Sequence, residues 1–397
     1  MRTLLHRLAA GLPLAAALSV LLSACGGGGG GDIAGVGTGG TGTISSTVSV
    51  GPISGFGSII VAGVRFDDTT ATVTDEDGTV RSRDDLKLGM VTAISGTADF
   101  TALTGVATGI RFGSDVLGPV TSIDVTNARL VVLGATVSVK ATTVFADGLG
   151  GLAALRPGDL VEVYGFYNAA SGSYTATRIE RKTSATRYTL RGPVELLDSA
   201  NQRFTLAGVT IDYASVPLAA RPSLANGVIV RASASGGLSG GVWRVESLGS
   251  APRASLADGE AKIEGDIGTM LSATRFVVDG VTVDAASASI SGTLAVGRRV
   301  EAEGRASGGV LVAKEVEVSD EDATSDEAFE ITALITDFDP PSLRFRLRGQ
   351  LVDASRAGVV YEGGSAANLA NGRKIELKGY FDAPSGAVIA RKIHFED

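Results

Sequence analysis

The sequence predicts an all-β fold, arranged as a tandem array of about five small domains, and three observations support this prediction. A Leu-x-x-Gly landmark occurs five times along the chain. A glycine between two short apolar runs precedes each landmark, which is typical of a β-hairpin. Apolar and charged residues alternate after each landmark, as in a strand with one buried face. Such an internal repeat fixes the architecture before any local assignment is made. The landmark glycines are Gly89, Gly158, Gly227, Gly297 and Gly372.

The chain begins with the features of a secretory signal. Two arginines precede an apolar stretch from about residue 8 to residue 22, which is too short to span a bilayer as a helix. The stretch ends in Leu22-Ser23-Ala24-Cys25, which resembles the lipobox of bacterial lipoproteins. The resemblance implies cleavage after residue 24 and acylation of Cys25 by chains such as palmitate, which hold the protein to a membrane. An ordinary cleaved signal with an incidental cysteine is the alternative.

The residue after the cysteine bears on the location of the protein. Gly26 stands where the lipoprotein sorting pattern would place aspartate for retention in the inner membrane. The resemblance therefore favours the outer membrane of the cell envelope, and it leaves the periplasmic and surface faces open. Residues 25–47 are mostly Gly, Thr, Ser and small apolar residues, which cannot bury enough surface to fold. We expect them to form a flexible tether.

The middle of each copy predicts a tight hairpin followed by further strands. In the fourth copy, Asp279-Gly280 is a favoured hairpin dipeptide, and apolar residues alternate on both sides of it. A segment of variable length before each landmark has room for one helical turn. Five strands with a short helix before the fourth strand is the pattern of an OB-like barrel. The predicted fold class is therefore a tandem array of about five small OB-like β-barrel domains.

Four of the landmarks are followed, seven residues later, by a second glycine, and Ala234 takes this place in the third copy. We interpret Gly158 and Gly165 as turn positions that bracket the fourth strand of the second barrel. The predicted divisions of the chain are a lipoprotein signal peptide (1–24), a tether (25–47), β domains 1 to 4 (48–116, 117–187, 188–252 and 259–319), an acidic linker (320–328) and β domain 5 (329–397).

Composition and charge exclude several classes of function. The formal net charge is −8, and removal of Arg2 and Arg7 with the signal changes it to −10. An acidic chain without a basic stripe is a poor nucleic-acid binder, so we expect no nucleic-acid partner. Acylation of the single cysteine leaves no thiol for a disulfide or a metal site. His394 is the only histidine after the signal, and its alternating surroundings predict a surface strand.

The repeats resemble a family of tandem β domains in bacterial lipoproteins, known as domain of unknown function number 5666. The likeness is carried by the Gly-Pro-Val openings, the Gly-Val-x-Val-Asp hairpins and the Leu-x-x-Gly-Asp-x-Val-Glu-Val-x-Gly segment of the second copy. It covers essentially all of residues 51–397, most clearly the first two copies, and the fifth copy lacks the opening Gly-Pro. The resemblance implies no activity, cofactor or catalytic residue.

Adjacent aromatic residues follow the second glycine in two copies. They are Phe166 with Tyr167, and Tyr380 with Phe381. Because neighbouring strand residues point to opposite faces, at least one ring of each pair should lie outside its barrel. Rings exposed beside a hairpin can stack on sugars, and OB-type surfaces bind oligosaccharides. We therefore consider these four residues as ligand-binding candidates, with packing between domains as the alternative.

Other motifs favour turns over chemistry. Residues 237–241 match G-x-S-x-G, but they lie in a Gly/Ser turn and not in a strand-to-helix elbow. Asp75-Glu76-Asp77-Gly78 offers carboxylates without the full ligand spacing of a calcium loop. The acidic run that begins at Asp320 is most simply a solvated linker. We therefore expect no catalytic residue, no metal site and no cofactor.

Three classes of function follow from these observations. The sequence favours a membrane-anchored envelope lipoprotein that acts as a structural or interaction module, with no catalysis. The alternative is a glycan- or polymer-binding lipoprotein that uses exposed aromatic residues on OB-like barrels. An enzyme is the third class, for which nothing selects a catalytic pair. The expected partners are the membrane, through the lipid anchor, and an envelope polysaccharide or another envelope protein.

Overall fold

A computed structural model describes residues 45–146, 148–319 and 326–396, and its regular structure is almost entirely β-strand. The first copy contributes seven strands and the second contributes five. They are β1 (Ser45–Phe56), β2 (Ile59–Val61), β3 (Val64–Asp67), β4 (Thr72–Thr74), β5 (Val80–Arg81), β6 (Val91–Asp99) and β7 (Thr104–Phe112), followed by β8 (Val116–Asp124), β9 (Arg129–Val132), β10 (Ala135–Phe145), β11 (Leu160–Asn168) and β12 (Ser173–Lys182).

The third copy contributes seven strands, and the fourth and fifth contribute six each. In the third copy, the first and last barrel strands are both broken into two pieces. The strands are β13 (Tyr188–Pro193), β14 (Glu195–Asp198), β15 (Arg203–Leu206), β16 (Val209–Asp212), β17 (Ile229–Ala234), β18 (Val242–Arg244), β19 (Ser247–Ser250), β20 (Gly259–Met270), β21 (Arg275–Val278), β22 (Val281–Asp284), β23 (Ser289–Ser291), β24 (Arg299–Ser307), β25 (Val310–Val318), β26 (Phe329–Asp339), β27 (Arg344–Leu347), β28 (Gln350–Asp353), β29 (Val360–Glu362), β30 (Lys374–Asp382) and β31 (Ala387–Phe395).

Each copy closes into a small barrel. In the second copy, β8 pairs with β9 and β9 with β10, both antiparallel. The third barrel strand, β10, then pairs in parallel with the last strand, β12. That strand pairs with β11, and β11 returns to β8. This circular order, first-second-third-fifth-fourth, recurs in the other copies and confirms the predicted all-β array of five-stranded OB-like barrels.

Tight hairpin turns join the second and third strands of every barrel. In the fourth copy, Asp279 and Gly280 have φ values of +47° and +86°. Two successive positive φ angles define a type I′ turn, whose twist matches the flanking strands and which favours Asp-Gly. The apolar residue that lies three positions after each turn glycine is fully buried, as the alternation predicts. These buried residues are Phe66, Val137, Ile211, Val283 and Val352.

A single turn of 3-10 helix precedes the fourth barrel strand in four copies, in the segment where the sequence predicts a helical turn. These short helices do not cap the barrels with a long hydrophobic face. No helix among the described residues is long and apolar enough to cross a membrane. The 3-10 helices are Arg83–Asp85, Leu152–Ala154, Leu218–Ala220 and Ala366–Asn368.

The second glycine of the repeat is not the turn that the sequence suggests. Gly158 has a φ of +92° and does lie in a turn. Gly165 lies inside β11, at a bulge where the pairing with β12 shifts register. An added Cβ at Gly165 would lie only 2.1 Å from the carbonyl oxygen of Thr175. The position requires glycine because two backbones approach closely. Gly96, Gly304 and Gly379 show the same approach to the facing strand.

Strand pairing also joins different copies. The first strand, β1, pairs with β6 of its own barrel, and its other edge pairs in parallel with strands of later copies. Residues 47–50 align with residues 260–263 of β20, and Gly55 and Phe56 align with the start of β26. In addition, β13 of the third copy pairs with β8 of the second. The described part of the chain is one compact unit in which barrels share strand edges.

Candidate functional site

A cavity of about 580 Å³ lies where the first three copies meet, and its floor is one face of the third barrel. Three adjacent strands, β13, β17 and β19, form this floor. Two rows of residues run across them in register. One row is Thr189, Ser233 and Ser247, and the other is Arg191, Arg231 and Gly249.

The floor residues point away from the barrel core because their neighbours point into it. Leu190 and Ala232, which alternate with the floor residues, are fully buried. Directly opposed residues of antiparallel strands project on the same face, so Arg191 and Arg231 lie side by side. Two like charges in this arrangement repel each other. The floor therefore needs acidic partners around it.

A buried cluster of two arginines and two aspartates supplies some of these partners. Arg191 Nη1 donates to Asp115 Oδ1 at 2.9 Å and to Asp279 Oδ1 at 2.8 Å. Arg253 Nη2 donates to both carboxylate oxygens of Asp115, at 2.8 and 2.9 Å, and its Nε donates to Asp279 Oδ2 at 2.5 Å. Gly165 N–H also donates to Asp115, at 3.0 Å. The cluster therefore connects the second, third and fourth copies.

The protonation of this cluster follows from its burial and its charges. Burial by itself would raise the pKa of Asp279, but Arg191 and Arg253 outweigh it and hold that pKa below its ordinary value. Burial opposes the charged form of Arg253, yet the two aspartates outweigh it and raise the pKa of this guanidinium. Asp279 and Arg253 are therefore charged at neutral pH. Buried charges that are paired in this way are costly to disrupt.

The first copy supplies one wall of the cavity. Glu76 accepts a hydrogen bond from Arg231 Nη1, and Arg231 Nη2 donates to the carbonyl oxygen of Ser114 at 2.7 Å. Burial raises the pKa of Glu76, although Arg231 opposes this effect. Arg111 Nη2 donates to the Glu76 carbonyl oxygen at 3.0 Å, and Nη1 donates to that of Pro252 at 3.2 Å.

The cavity is lined by hydrogen-bond donors and charged side chains more than by chemically reactive groups. Six arginines and three acidic residues line it, together with several serine and threonine hydroxyls. Neither histidine nor cysteine is among the lining residues. No group of three or more His, Cys, Asp or Glu side chains suited to a metal ion is found in residues 45–146, 148–319 and 326–396. The arrangement is suited to binding a ligand rich in acceptor oxygens.

The four aromatic candidates from the sequence lie elsewhere. Phe166 and Phe381 are 1% and 4% exposed, so neither ring offers an open face. The Phe166 ring lies 4.9 Å below the Arg299 guanidinium of the fourth copy. This is packing between copies, the alternative that the sequence left open. The prediction of a ligand platform therefore narrows to Tyr167 and Tyr380.

Tyr167 and Tyr380 are half-buried, and each ring already has a protein partner. Tyr167 packs at 5.3 Å from the Tyr174 ring, and its hydroxyl donates to Glu195 at 3.0 Å. Burial, together with Glu195, raises the pKa of Tyr167. The Tyr380 ring lies 4.9 Å from the Arg391 guanidinium. The structure does not bring these two tyrosines to the cavity.

We expect Tyr167→Ala to lower the free energy of unfolding by about 2 kcal/mol, less than a fully buried aromatic residue would. The ring contacts Tyr174 and packs against the core, so its loss leaves a partial void. Tyr167→Phe is the control, because it removes only the hydrogen bond to Glu195 and should cost about 1 kcal/mol or less. Urea denaturation of both variants measures the difference. An alanine variant as stable as the wild type would instead indicate a solvent-facing platform.

The other motifs from the sequence have structural roles. Asp75 accepts hydrogen bonds from the backbone N–H groups of Asp77 and Thr79, so the acidic segment is a turn. Residues 237–241 also form a turn, which is closed by pairing between Ser239 and Val242. His394 lies exposed on β31, 3.5 Å from Glu362. Of these three motifs, only the acidic segment reaches the cavity described above, through Glu76 and Asp77.

Sequence reasoning missed the residues that build the cavity. Arg191 and Arg231 flank positions whose burial the alternation does predict, so an outward-facing arginine could be assigned to each strand. The proximity of the two arginines could not be predicted, because it depends on the pairing of β13 with β17. Several sequence predictions lie outside the described residues: the signal peptide, acylation of Cys25, most of the tether, and residues 320–325 of the acidic linker.

Comparison with protein families finds a match for three of the five repeats. Residues 118–180, 264–317 and 331–394 match the family described as Domain of unknown function (DUF5666). These segments correspond to the second, fourth and fifth barrels. A search of curated proteins found no match to the chain.

Proposed function

For a chain in which three segments match the DUF5666 family, we propose a membrane-anchored envelope lipoprotein that acts as a structural or interaction module without catalysis. The observation that carries this proposal is the union of five barrels into one scaffold by shared strand edges and a buried charge cluster. Such a scaffold holds its surfaces in fixed relation to one another. Rigid presentation of a surface suits binding, because little ordering is needed on association.

The character of the cavity supports a binding role over an enzymatic one. Catalysis by an activated nucleophile requires a nucleophile and a base within hydrogen-bond reach. The residues that line the cavity include hydroxyls but no histidine to activate them. Arg191, Arg111 and Arg231 there donate hydrogen bonds to carboxylates and carbonyl oxygens.

Glycan or polymer binding is the second candidate, and the cavity favours it. Ligand sites commonly have volumes of about 300–1,000 Å³, and a cavity of about 580 Å³ has room for one or a few sugar rings. Its hydroxyl and guanidinium groups match the oxygens of a polysaccharide. Under this candidate, the binding surface is the junction of the first three copies and not the aromatic pairs that the sequence suggested.

Cys25→Ser tests the anchor. We expect this variant to appear as a soluble protein or an unprocessed precursor, because the acylation site is gone and no other cysteine is present. Cell fractionation and labelling with a palmitate analogue measure the change. Ser23→Ala is the matched control, since it keeps a small residue and the cysteine and should stay anchored. A processed Cys25→Ser protein that remains firmly in the membrane would contradict the proposal.

Protease treatment of intact cells addresses which molecules the protein can meet. Digestion of the barrels would place them on the cell surface, whereas protection until the outer membrane is permeabilised would place them in the periplasm. Copurification of an envelope protein or a polysaccharide with the anchored form, from the matching compartment, would support an interaction module. Consumption of an envelope substrate by the purified protein would overturn the non-catalytic proposal.

A further inference from the structure

Three buried polar atoms on the floor of the cavity lack hydrogen-bond partners among the described residues. They are Arg191 Nη2, Arg231 Nε and Thr189 Oγ1. Each belongs to a residue that lines the cavity, and all three lie on the paired strands β13 and β17. A buried donor without a partner destabilises the protein, because the hydrogen bonds that it makes to water in the unfolded chain are not replaced. Unpaired groups gathered at one place indicate a ligand more than a packing defect.

The unpaired groups share one chemical need. Both guanidinium atoms are donors only, and the hydroxyl can donate as well. The Arg191 side chain is 6% exposed, its Nη1 donates to Asp115 and Asp279, and its Nε donates to the carbonyl oxygen of Ala251 at 2.9 Å. Arg231 is held from its side by Glu76 and Ser114. The free atoms therefore require acceptor oxygens from outside the protein.

The charges around the floor indicate the sign of the ligand. Arg191 and Arg231 stand directly opposite each other, and each is already paired with carboxylates, Arg191 with Asp115 and Asp279 and Arg231 with Glu76. Arg111 hydrogen-bonds only carbonyl oxygens, so no carboxylate among the described residues balances its charge. Arg81 and Arg187 line the same cavity and are about half exposed, and each already contacts a carboxylate.

We propose that this floor binds an oxyanionic group, a carboxylate or a phosphate, whose oxygens accept from Arg191, Arg231 and Thr189. Guanidinium groups suit both anions because they donate in a planar fork. The three atoms lie just beneath the surface, so the ligand reaches them as the arginine head groups shift. Space for that shift exists beside Arg231, because an added Cβ at Gly249 would meet no atom within 4 Å. The proposal goes beyond the interaction role and does not depend on the lipid anchor.

The experiment is calorimetric titration of the full mature chain in detergent at constant ionic strength. The probes are inorganic phosphate and galacturonate, with galactose as the uncharged match for galacturonate. We expect phosphate, galacturonate or both to bind, and galactose to bind at least about tenfold more weakly, because charge-assisted hydrogen bonds are the stronger ones. Phosphate binding alone assigns a phosphate group, and galacturonate binding alone assigns a carboxylate. No binding of either anion, or equal binding of galactose and galacturonate, would overturn the proposal.

Two variants locate the binding on the floor without disturbing the charge cluster. Thr189→Val replaces an unpaired hydroxyl by a methyl group of the same size, so the melting temperature should stay the same or rise. Binding should nevertheless weaken by about 2- to 10-fold, the factor expected for one hydrogen bond. Gly249→Met fills the open space in the arginine row and should abolish binding. Thr205→Val, on β15 away from the cavity, is the control and should bind as the wild type does. Unchanged binding by both floor variants would refute the assignment.

Discussion

Arg253→Met is expected to lower the free energy of unfolding by about 3–5 kcal/mol, the largest single effect that the structure predicts. The Arg253 side chain is 5% exposed and contacts both Asp115 and Asp279. Its removal leaves two buried carboxylates with Arg191 as their remaining cationic partner. The carbonyl oxygen of Gly113 also loses the hydrogen bond that it accepts from Nη1. Methionine fills similar space, so the change reports the charge and its hydrogen bonds more than the volume.

Chemical denaturation of the wild type and the variant measures this effect. Arg244→Met is the control, because that side chain is 81% exposed and its change should stay within about 0.5 kcal/mol. The pH dependence gives a second check. The lowered pKa of Asp279 stabilises the wild type above the ordinary carboxyl pKa, and this contribution is lost as the pH falls through the lowered value. The difference between wild type and variant should therefore narrow in acid. A variant as stable as the control would show that the cluster is not a structural link.

Gly165→Val is expected to destabilise the protein by at least about 3 kcal/mol, the upper end of the usual cost of overpacking. The added Cβ would lie 2.1 Å from the carbonyl oxygen of Thr175, which is backbone and cannot rotate away. To relieve this steric clash, β11 and β12 must separate at the bulge. The same movement would displace the N–H group that donates to Asp115. Gly165→Ala carries the same Cβ and should be destabilised as well, though less than the β-branched variant.

Thermal melting of the two variants tests this expectation. Gly236→Val is the matched control, because an added Cβ there meets no atom within 4 Å and the residue needs no positive φ. We expect the control to melt close to the wild type. A Gly165→Val protein that melts with the control would show that β11 and β12 do not approach as closely as described. The bulge would then have no role in specifying glycine at this place in the repeat.

Much of a single barrel could be predicted from the sequence because its signals are local. The Asp279-Gly280 pair specifies a turn by its own conformational preference, and the alternation on either side specifies which residues are buried. The landmark glycines are turn residues for the same reason, and Gly158 is one of them. Gly165 was interpreted wrongly because glycine suits both a positive φ and a close backbone approach. Only the facing strand distinguishes the two, and that strand lies outside the local sequence.

The relations between copies could not be predicted. Pairing of β1 with β20 joins residues that no local pattern connects, and no turn sets its register. The cavity could not be predicted for the same reason, because Glu76, Arg191 and Arg253 come from different parts of the repeat and from segments between copies. The aromatic pairs show that a local pattern can also suggest a surface site where another copy covers the residue. Phe166 follows a strand glycine as a surface platform would, yet the fourth copy covers it.

The parallel pairing of β1 with β20 bears on the order in which the chain is made. Thr47 and Glu260 are aligned although they stand 213 positions apart (260 minus 47). During synthesis, the first barrel therefore exists for some time without the strand that covers its edge. An uncovered edge is a template for pairing with another chain, and such distant contacts form slowly. The later repeats thus protect the edge of the first barrel by pairing with it. The risk of aggregation is greatest in the interval before these repeats are synthesised.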